Sequence, residues 1–237
     1  MERPKIVITG VGIITAHGAG DAVNWSKIAA GESGIRPISA FDASSYRFNA
    51  GGEALCLDEI IRQTPETRRF DRASHLLIET VRQALVQAQL HCPLRTERLL
   101  VSLGTTLGGM ISGERFHREM LAKGLRKTRI SLLSDYYAHH QSINLFRTLN
   151  LTGDFRVFSN ACTSGANAVG HAFRALRTGA ADMAICGGYD TMTEFTFAGF
   201  SSLMAMTRSL CRPFDRERDG LVLGEGAAVF VLETRDH

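Results

Sequence analysis

Long apolar runs are missing from this 237-residue chain. No stretch reaches the roughly 20 largely apolar residues that a transmembrane helix requires, so membrane insertion is not expected. Charge of one sign is equally scarce. With 27 basic against 24 acidic residues the formal charge is +3, too balanced to indicate a nucleic-acid surface, although a local basic patch can still meet an acidic partner. Cysteines are few and unpaired in pattern: Cys56, Cys92, Cys162, Cys186 and Cys211 are odd in number, widely spaced and free of any CxxC pair. Neither a disulfide framework nor a zinc site is favoured, no metal is expected, and a reducing cytoplasm suits such thiols. A complete dinucleotide fingerprint is also lacking, because TGVGIIT carries Thr15 where GxGxxG needs its third glycine.

What is present is the material of a globular core, 44% apolar and 22% charged residues. Arg3 and Lys5 precede IVITGVGIITA, an order that mimics a short signal peptide. Gly10 and Gly12 interrupt the run and β-branched residues dominate it, which fits a buried strand entering a glycine turn. DAVNWSKIAAGESG reads as a helix, with Asp21 as cap and Gly31 near its end. An irregular excursion is expected at about 36–70. DRASHLLIETVRQALVQAQL then places apolar residues at 73, 76, 77, 81, 84, 85 and 88, one face of a helix. LLVSLG predicts a strand that ends in the glycine-rich GTTLGG, and a helical insertion follows at about 108–150. After it come the short strand FRVFS, a helix from about Thr163 to Arg177, the strand ADMAICGG, an aromatic and methionine-rich segment from Tyr189 to Met206, and LVLGEGAAVFVLE, read as two strands around Gly224 to Gly226. The alternation predicts an α/β fold with a sheet covered on both faces.

SNACTSGANAVG, Ser159 to Gly170, puts one cysteine immediately before a helix start built of small residues. At such a place unpaired backbone N–H groups and the positive end of the helix dipole favour a thiolate and the negative oxygen of a tetrahedral intermediate. A free cysteine packed in the core is the other reading. His171 is no partner for it. Nine residues on, at 1.5 Å rise per residue, it lies about 13 Å along the helix and on the opposite side. Asn167, His171, Arg174 and Thr178 form a polar face of that helix, while Val169, Phe173 and Leu176 line another. His139 and His140 sit among aromatics in an amphipathic setting suited to packing or surface roles. GTTLGG either lets a ligand approach the backbone or is a tight turn, and RPFDRERDG reads as an ion-paired surface turn. Arg68 and Arg69 bring like positive charges to a helix opening, where an anion would be welcome.

KIVITGVGIITAHG, GTTLGG, NACTSGANAVGHAFRALRTGAADMAICGGYD and RPFDRERDGLVLGEGAAVFVLE together resemble the N-terminal half of a β-ketoacyl-[acyl-carrier-protein] synthase, the elongating condensing enzyme of type II fatty acid or polyketide synthesis. The resemblance covers nearly the whole chain, in order. It implies a thiolase-like layered α/β fold whose N-terminal half, residues 1–237, contains a mixed five-stranded sheet covered by helices. Cys162 matches the cysteine that accepts an acyl group from a carrier thioester, and its N–H matches one donor of the oxyanion hole. Leu107 and Phe200 match acyl-pocket positions, and Arg68 and Arg69 match a basic patch that receives the acidic carrier protein.

The same resemblance implies no cofactor beyond the phosphopantetheine carried by the acyl carrier protein. It implies a homodimer, or a heterodimer with a complementary ketosynthase-like subunit, in the cytoplasm. Two positions depart from the pattern: Met204 stands where close relatives have an arginine, and Asn167 replaces a histidine. Family members are roughly twice as long, and their second half supplies two histidines, a lysine and a glycine-rich gating loop. This portion alone is therefore not expected to complete condensation. The alternative is a non-catalytic partner resembling a chain-length factor, a class that normally lacks the active cysteine.

Overall fold

The computed structural model describes residues 4–64, 67, 69–94 and 98–235. The chain opens with β1 (Ile6–Thr15), β2 (Gly18–Ala19) and α1 (Asp21–Ala29), followed by the short strands β3 (Arg36–Pro37) and β4 (Ala50–Gly51) and helices α2 (Cys56–Gln63) and α3 (Arg72–Gln87). Next come β5 (Leu99–Gly104), α4 (Met110–Lys123), α5 (Ser131–Tyr136) and α6 (Ala138–Leu149). The last part holds β6 (Asp154–Phe158), α7 (Ser164–Arg177), β7 (Met183–Asp190), α8 (Glu194–Ser202) and β8 (Gly226–Thr234).

One mixed sheet organises these elements in the order β2-β1-β8-β7-β5-β6. β5 runs parallel to β6 and β7, whereas β8 runs antiparallel to β7 and β1. The sheet has six strands where five are expected from the sequence. β2 accounts for the difference: its two residues pair with the end of β1, too short a run to carry a period. A second correction concerns LVLGEGAAVFVLE, which forms one strand instead of two. Before β8, Leu221 and Gly224 make only isolated bridges, to Met206 and Gly52. A third concerns Asp21, which is the first residue of α1, with Gly20 in the cap position.

Side chains alternate across the sheet as strand geometry demands. Leu99, Val101 and Leu103 of β5 join the core beneath α3 and α6, while Leu100 points to the α7 side with Ala184, Cys186 and Leu232. On the first face, α3 crosses β1 at backbone contact. A Cβ at Gly10 would lie 2.0 Å from the Ala84 carbonyl oxygen, and one at Gly12 would lie 1.8 Å from that of Thr80. The glycines of TGVGIIT thus serve helix-on-strand packing. The same helix covers the edge of β1 that β2 leaves open, because Gln87 Oε1 accepts from Val11 N at 2.6 Å and Gln83 Oε1 from Ile13 N at 3.1 Å.

On the second face, α7 buries Ala168, Ala172 and Leu176 at spacings of four. Phe173, expected beside Leu176, is 39% exposed. The apolar side of α7 is therefore split between the sheet and the outside. Residues 36–70 hold the β3–β4 pair and α2, and an ion-pair network ties them to α3. Arg72 donates to Glu225 through Nε at 3.0 Å, and to Asp58 through a terminal nitrogen at 2.5 Å. Glu225 also accepts from Ala54 N and Met192 N. Burial opposes the charge on Arg72, but Glu225 and Asp58 more than offset it and hold the guanidinium above its ordinary range. Among the described residues, no helix is long and apolar enough to cross a membrane.

Gly12→Ala is expected to destabilise the fold by at least about 2 kcal/mol, since α3 must retreat from β1 to admit the methyl group. Urea unfolding of the variant beside wild type measures this, and an unchanged midpoint would contradict the contact.

Candidate functional site

Cys162 sits in a 3-10 turn, Ala161–Thr163, between the end of β6 and the first residue of α7. The turn is held from both sides. Ser164 Oγ accepts from Asn160 N at 2.9 Å and donates to the Ala161 carbonyl at 2.7 Å, and Thr163 Oγ1 donates to the Asn160 carbonyl at 3.2 Å. Ala161 has φ +60°, a left-handed conformation that costs a non-glycine residue on the order of 1 kcal/mol. The backbone is thereby forced into a sharp corner that leaves the Cys162 thiol exposed.

This corner can form because the helix start meets bare backbone. A Cβ at Gly104 would lie 2.3 Å from Gly165 N, and one at Gly188 would lie 3.3 Å from Gly165 Cα. The N-terminus of α7 therefore rests on the ends of β5 and β7. A cavity of about 360 Å³ opens beside the thiol, lined among others by Thr15, Gly104, Ser164, Asp190 and Gly226. Gly165, Gly188 and Ala228 also line an adjacent apolar groove of about 770 Å³, walled by Ile6, Ile8, Val169, Phe173 and Phe230. Ile8 is 57% exposed there.

Three predicted residues lie elsewhere. Leu107 is half-buried in the turn after β5, with its N–H on Asp190 at 2.6 Å. Phe200 is half-buried on α8 and packs on the cluster of Met192, Phe197 and Met206. Neither is among the residues lining the Cys162 cavity. Arg69 is exposed, and α3 opens only at Arg72, where the Asp71 side chain accepts from Ser74 N as the cap. Arg68 lies outside the described residues. Met204 is 85% exposed with φ +55°, and Asn167 is exposed on α7.

The histidines stay away from the thiol. His171 reaches Ser102 Oγ at 3.4 Å and the Phe158 ring at 5.4 Å between centroids. Burial, helped by Arg174 and Arg156, holds it below the usual histidine range. His140 faces Asp135 at 3.3 Å, and His139 stacks on Tyr137. No histidine, lysine or arginine lines the Cys162 cavity among the described residues. The arrangement can present a nucleophile and an anion-stabilising helix end. Sequence reasoning missed Asp190, which is among the residues lining the same cavity; its only signal is a position two residues beyond a Gly-Gly pair at a strand end.

A family profile described as Beta-ketoacyl synthase, N-terminal domain, matches residues 3–237. The tetracenomycin polyketide synthase ketoacyl synthase alpha subunit of Streptomyces glaucescens is 35% identical over 97% of this chain and 57% of its own length. A 3-oxoacyl-[acyl-carrier-protein] synthase 2 of Synechocystis sp. is 33% identical over 98% of this chain and 58% of its own. The chain thus spans less than two thirds of the length of these curated relatives. Among solved structures, the ishigamide ketosynthase/chain length factor superposes with a TM-score of 0.88 at 30% identity, covering 99% of this chain and 59% of that one. The layered α/β arrangement is the thiolase-like one.

The cysteines provide a direct test of the geometry. Burial pushes the Cys186 thiol up to about 12, so at pH 8 only about one part in ten thousand is thiolate. Iodoacetamide on the native protein is expected to label Cys162 and spare Cys186, read peptide by peptide by mass spectrometry. Labelling of Cys186 before unfolding would contradict the placement of β7.

Proposed function

The chain belongs to the β-ketoacyl synthase family, and on that premise we propose that it supplies the acyl-accepting half of a 3-oxoacyl-[acyl-carrier-protein] synthase. The observation that carries the reading is Cys162, exposed on a strained corner at the start of a 14-residue helix. Its thiolate attacks the thioester carbonyl of an acyl carrier protein. A new C–S bond forms, the carrier's phosphopantetheine thiolate leaves, and the Cys162 N–H and the helix end stabilise the intervening oxyanion. Malonyl carrier then loses CO₂, and the resulting carbanion displaces Cys162 from the acyl group to give the 3-oxoacyl product. The protein needs no cofactor of its own for this, because the phosphopantetheine arrives on its partner.

Decarboxylation requires groups that the described residues do not bring to the cavity. The apolar groove beside α7, which shares Gly165, Gly188 and Ala228 with the Cys162 cavity, supports a second domain or a complementary ketosynthase-like subunit closing over that face with two histidines, a lysine and a gating loop. Among the described residues β6 pairs with β5 alone, and its open edge supports a homodimer built strand to strand. Leu107 and Phe200 are the proposed acyl-pocket residues, Arg68 and Arg69 the proposed carrier-docking patch, and the cytoplasm the proposed compartment.

A second reading is a chain-length-factor-like partner. Likeness to a ketosynthase/chain length factor assembly favours it, and the presence of Cys162 argues against it. Intact mass after exposure to acyl carrier protein separates the two. Wild type is expected to gain one acyl group and Cys162→Ala none; equal gains would remove Cys162 from the mechanism, and a complex that turns over unchanged with Cys162→Ala would establish the partner role. Charge reversal of Arg68 and Arg69 to Glu is expected to weaken carrier binding about tenfold in a titration at low salt, and unchanged affinity would take the patch out of the docking surface.

A further inference from the structure

β6 is an edge strand, and its side chains alternate between the two faces of the sheet. Phe155 packs on Phe146 of α6, which leaves Asp154, Arg156 and Phe158 on the α7 face, where the Phe158 ring meets His171. A cavity of about 450 Å³, of small-molecule size, opens there and is lined among others by Arg98, Asp154, Arg156 and His171. It lies on the flank of α7 opposite the apolar groove, which takes Val169 and Phe173 from the helix. Ser102 fixes the tautomer of the histidine. Its Oγ donates to the Ala168 carbonyl at 2.8 Å, so the oxygen is left to accept from His171 Nδ1–H at 3.4 Å. Nε2 then carries the lone pair of the neutral ring, and it has no hydrogen-bond partner among the described residues.

The charges around this ring are lopsided. Arg98 is engaged with Asp182 and the Gly179 carbonyl. Arg156 donates to the Phe155 carbonyl at 2.8 Å, and neither it nor Arg174 forms an ion pair among the described residues. Against these two arginines stands Asp154, exposed and likewise without an ion pair. Burial first, then Arg174 and Arg156, hold His171 below its ordinary range. An anion in the cavity would give Arg156 an acceptor and favour a proton on Nε2, turning that nitrogen into a donor. We propose that the cavity binds a doubly charged oxyanion, sulfate or a phosphate monoester, between Arg156 of β6 and His171 of α7. Bound there, the anion ties the edge strand to the helix that starts beside Cys162. The site shares no lining residue with the Cys162 cavity, so it stands or falls apart from the acyl-cysteine reading.

Calorimetric titration of the native protein with sulfate, inorganic phosphate and ribose 5-phosphate, at an ionic strength held constant with chloride, tests this. Saturable sulfate binding with Kd of about 1 mM is expected, and no saturation by any of the three up to about 20 mM overturns the proposal. Tighter binding of ribose 5-phosphate than of phosphate assigns the site to a monoester whose organic part fills the cavity, and equal affinity assigns it to the free anion. Arg156→Ala, at an exposed position, is expected to weaken sulfate binding about tenfold. Arg126→Ala removes an exposed cation between α4 and α5 and is expected to change nothing; equal losses in the two variants would reveal a diffuse field and overturn the site. Sulfate keeps its charge near neutrality, so its affinity is expected to rise about threefold from pH 8 to pH 6 as His171 takes up a proton. His171→Gln keeps a donor and is expected to bind with that slope flattened, whereas a slope that persists takes His171 out of the site and overturns the clamp.

Discussion

The site depends on backbone meeting backbone without side chains between. Gly104 at the end of β5, Gly188 near the end of β7 and Gly165 in the first turn of α7 lie so close that a methyl group at Gly104 would be 2.3 Å from a main-chain nitrogen. That approach seats the positive end of a long helix directly on the C-terminal edge of the parallel strands. Cys162 is then delivered to the edge by the corner at Ala161, and the cavity beside it has walls made largely of glycine and alanine. A helix standing a few ångströms further off would leave the thiol over loops instead of strand ends.

The two faces of the sheet are finished to different degrees. The α3 face is closed: glutamines cap the open edge of β1, Asp71 caps the helix, and the Arg72–Glu225–Asp58 network locks the 52–58 segment against it. Glu225 is buried within that network, and leaving a buried carboxylate without its cation is strongly unfavourable, so the segment is fixed to the core. On the α7 face the opposite holds. Ile8 and Phe173 are exposed beside an apolar groove, and Ala166 and Gly170 of the helix also line it. The exposed Cys162 thiol sits on the unfinished face, where an approaching layer would enclose it and exclude water.

Much of this organisation is legible in the sequence, for physical reasons that differ by element. The 16-residue α3 shows its buried face because its apolar spacing persists through four turns. Cys162 is legible as a helix-start thiol, although the residues alone leave a packed core cysteine as the other reading and only the family resemblance favours the nucleophile. Features that depend on distant pairing are not. β2 has too few residues for a period, and LVLGEG looks extended although its leucines pack into an aromatic cluster and its glutamate serves an ion pair. Asp190 bonds a turn 83 to 85 positions away, a relation that exists only once β5 and β7 are in register. The exposure of Phe173 depends likewise on what stands beside α7, which periodicity within one helix does not report.

The glycine contact also shapes how such a protein can change over generations. Every single-base change in a glycine codon that replaces the residue gives one that carries a Cβ, or a stop, so no such replacement at Gly104 leaves the approach of α7 undisturbed. Variation that keeps Cys162 in place is channelled to less confined positions, such as the half-buried Leu107 and Phe200 and the exposed Met204. The glycine seat beneath Cys162 is mutationally frozen, while less confined positions remain open to drift.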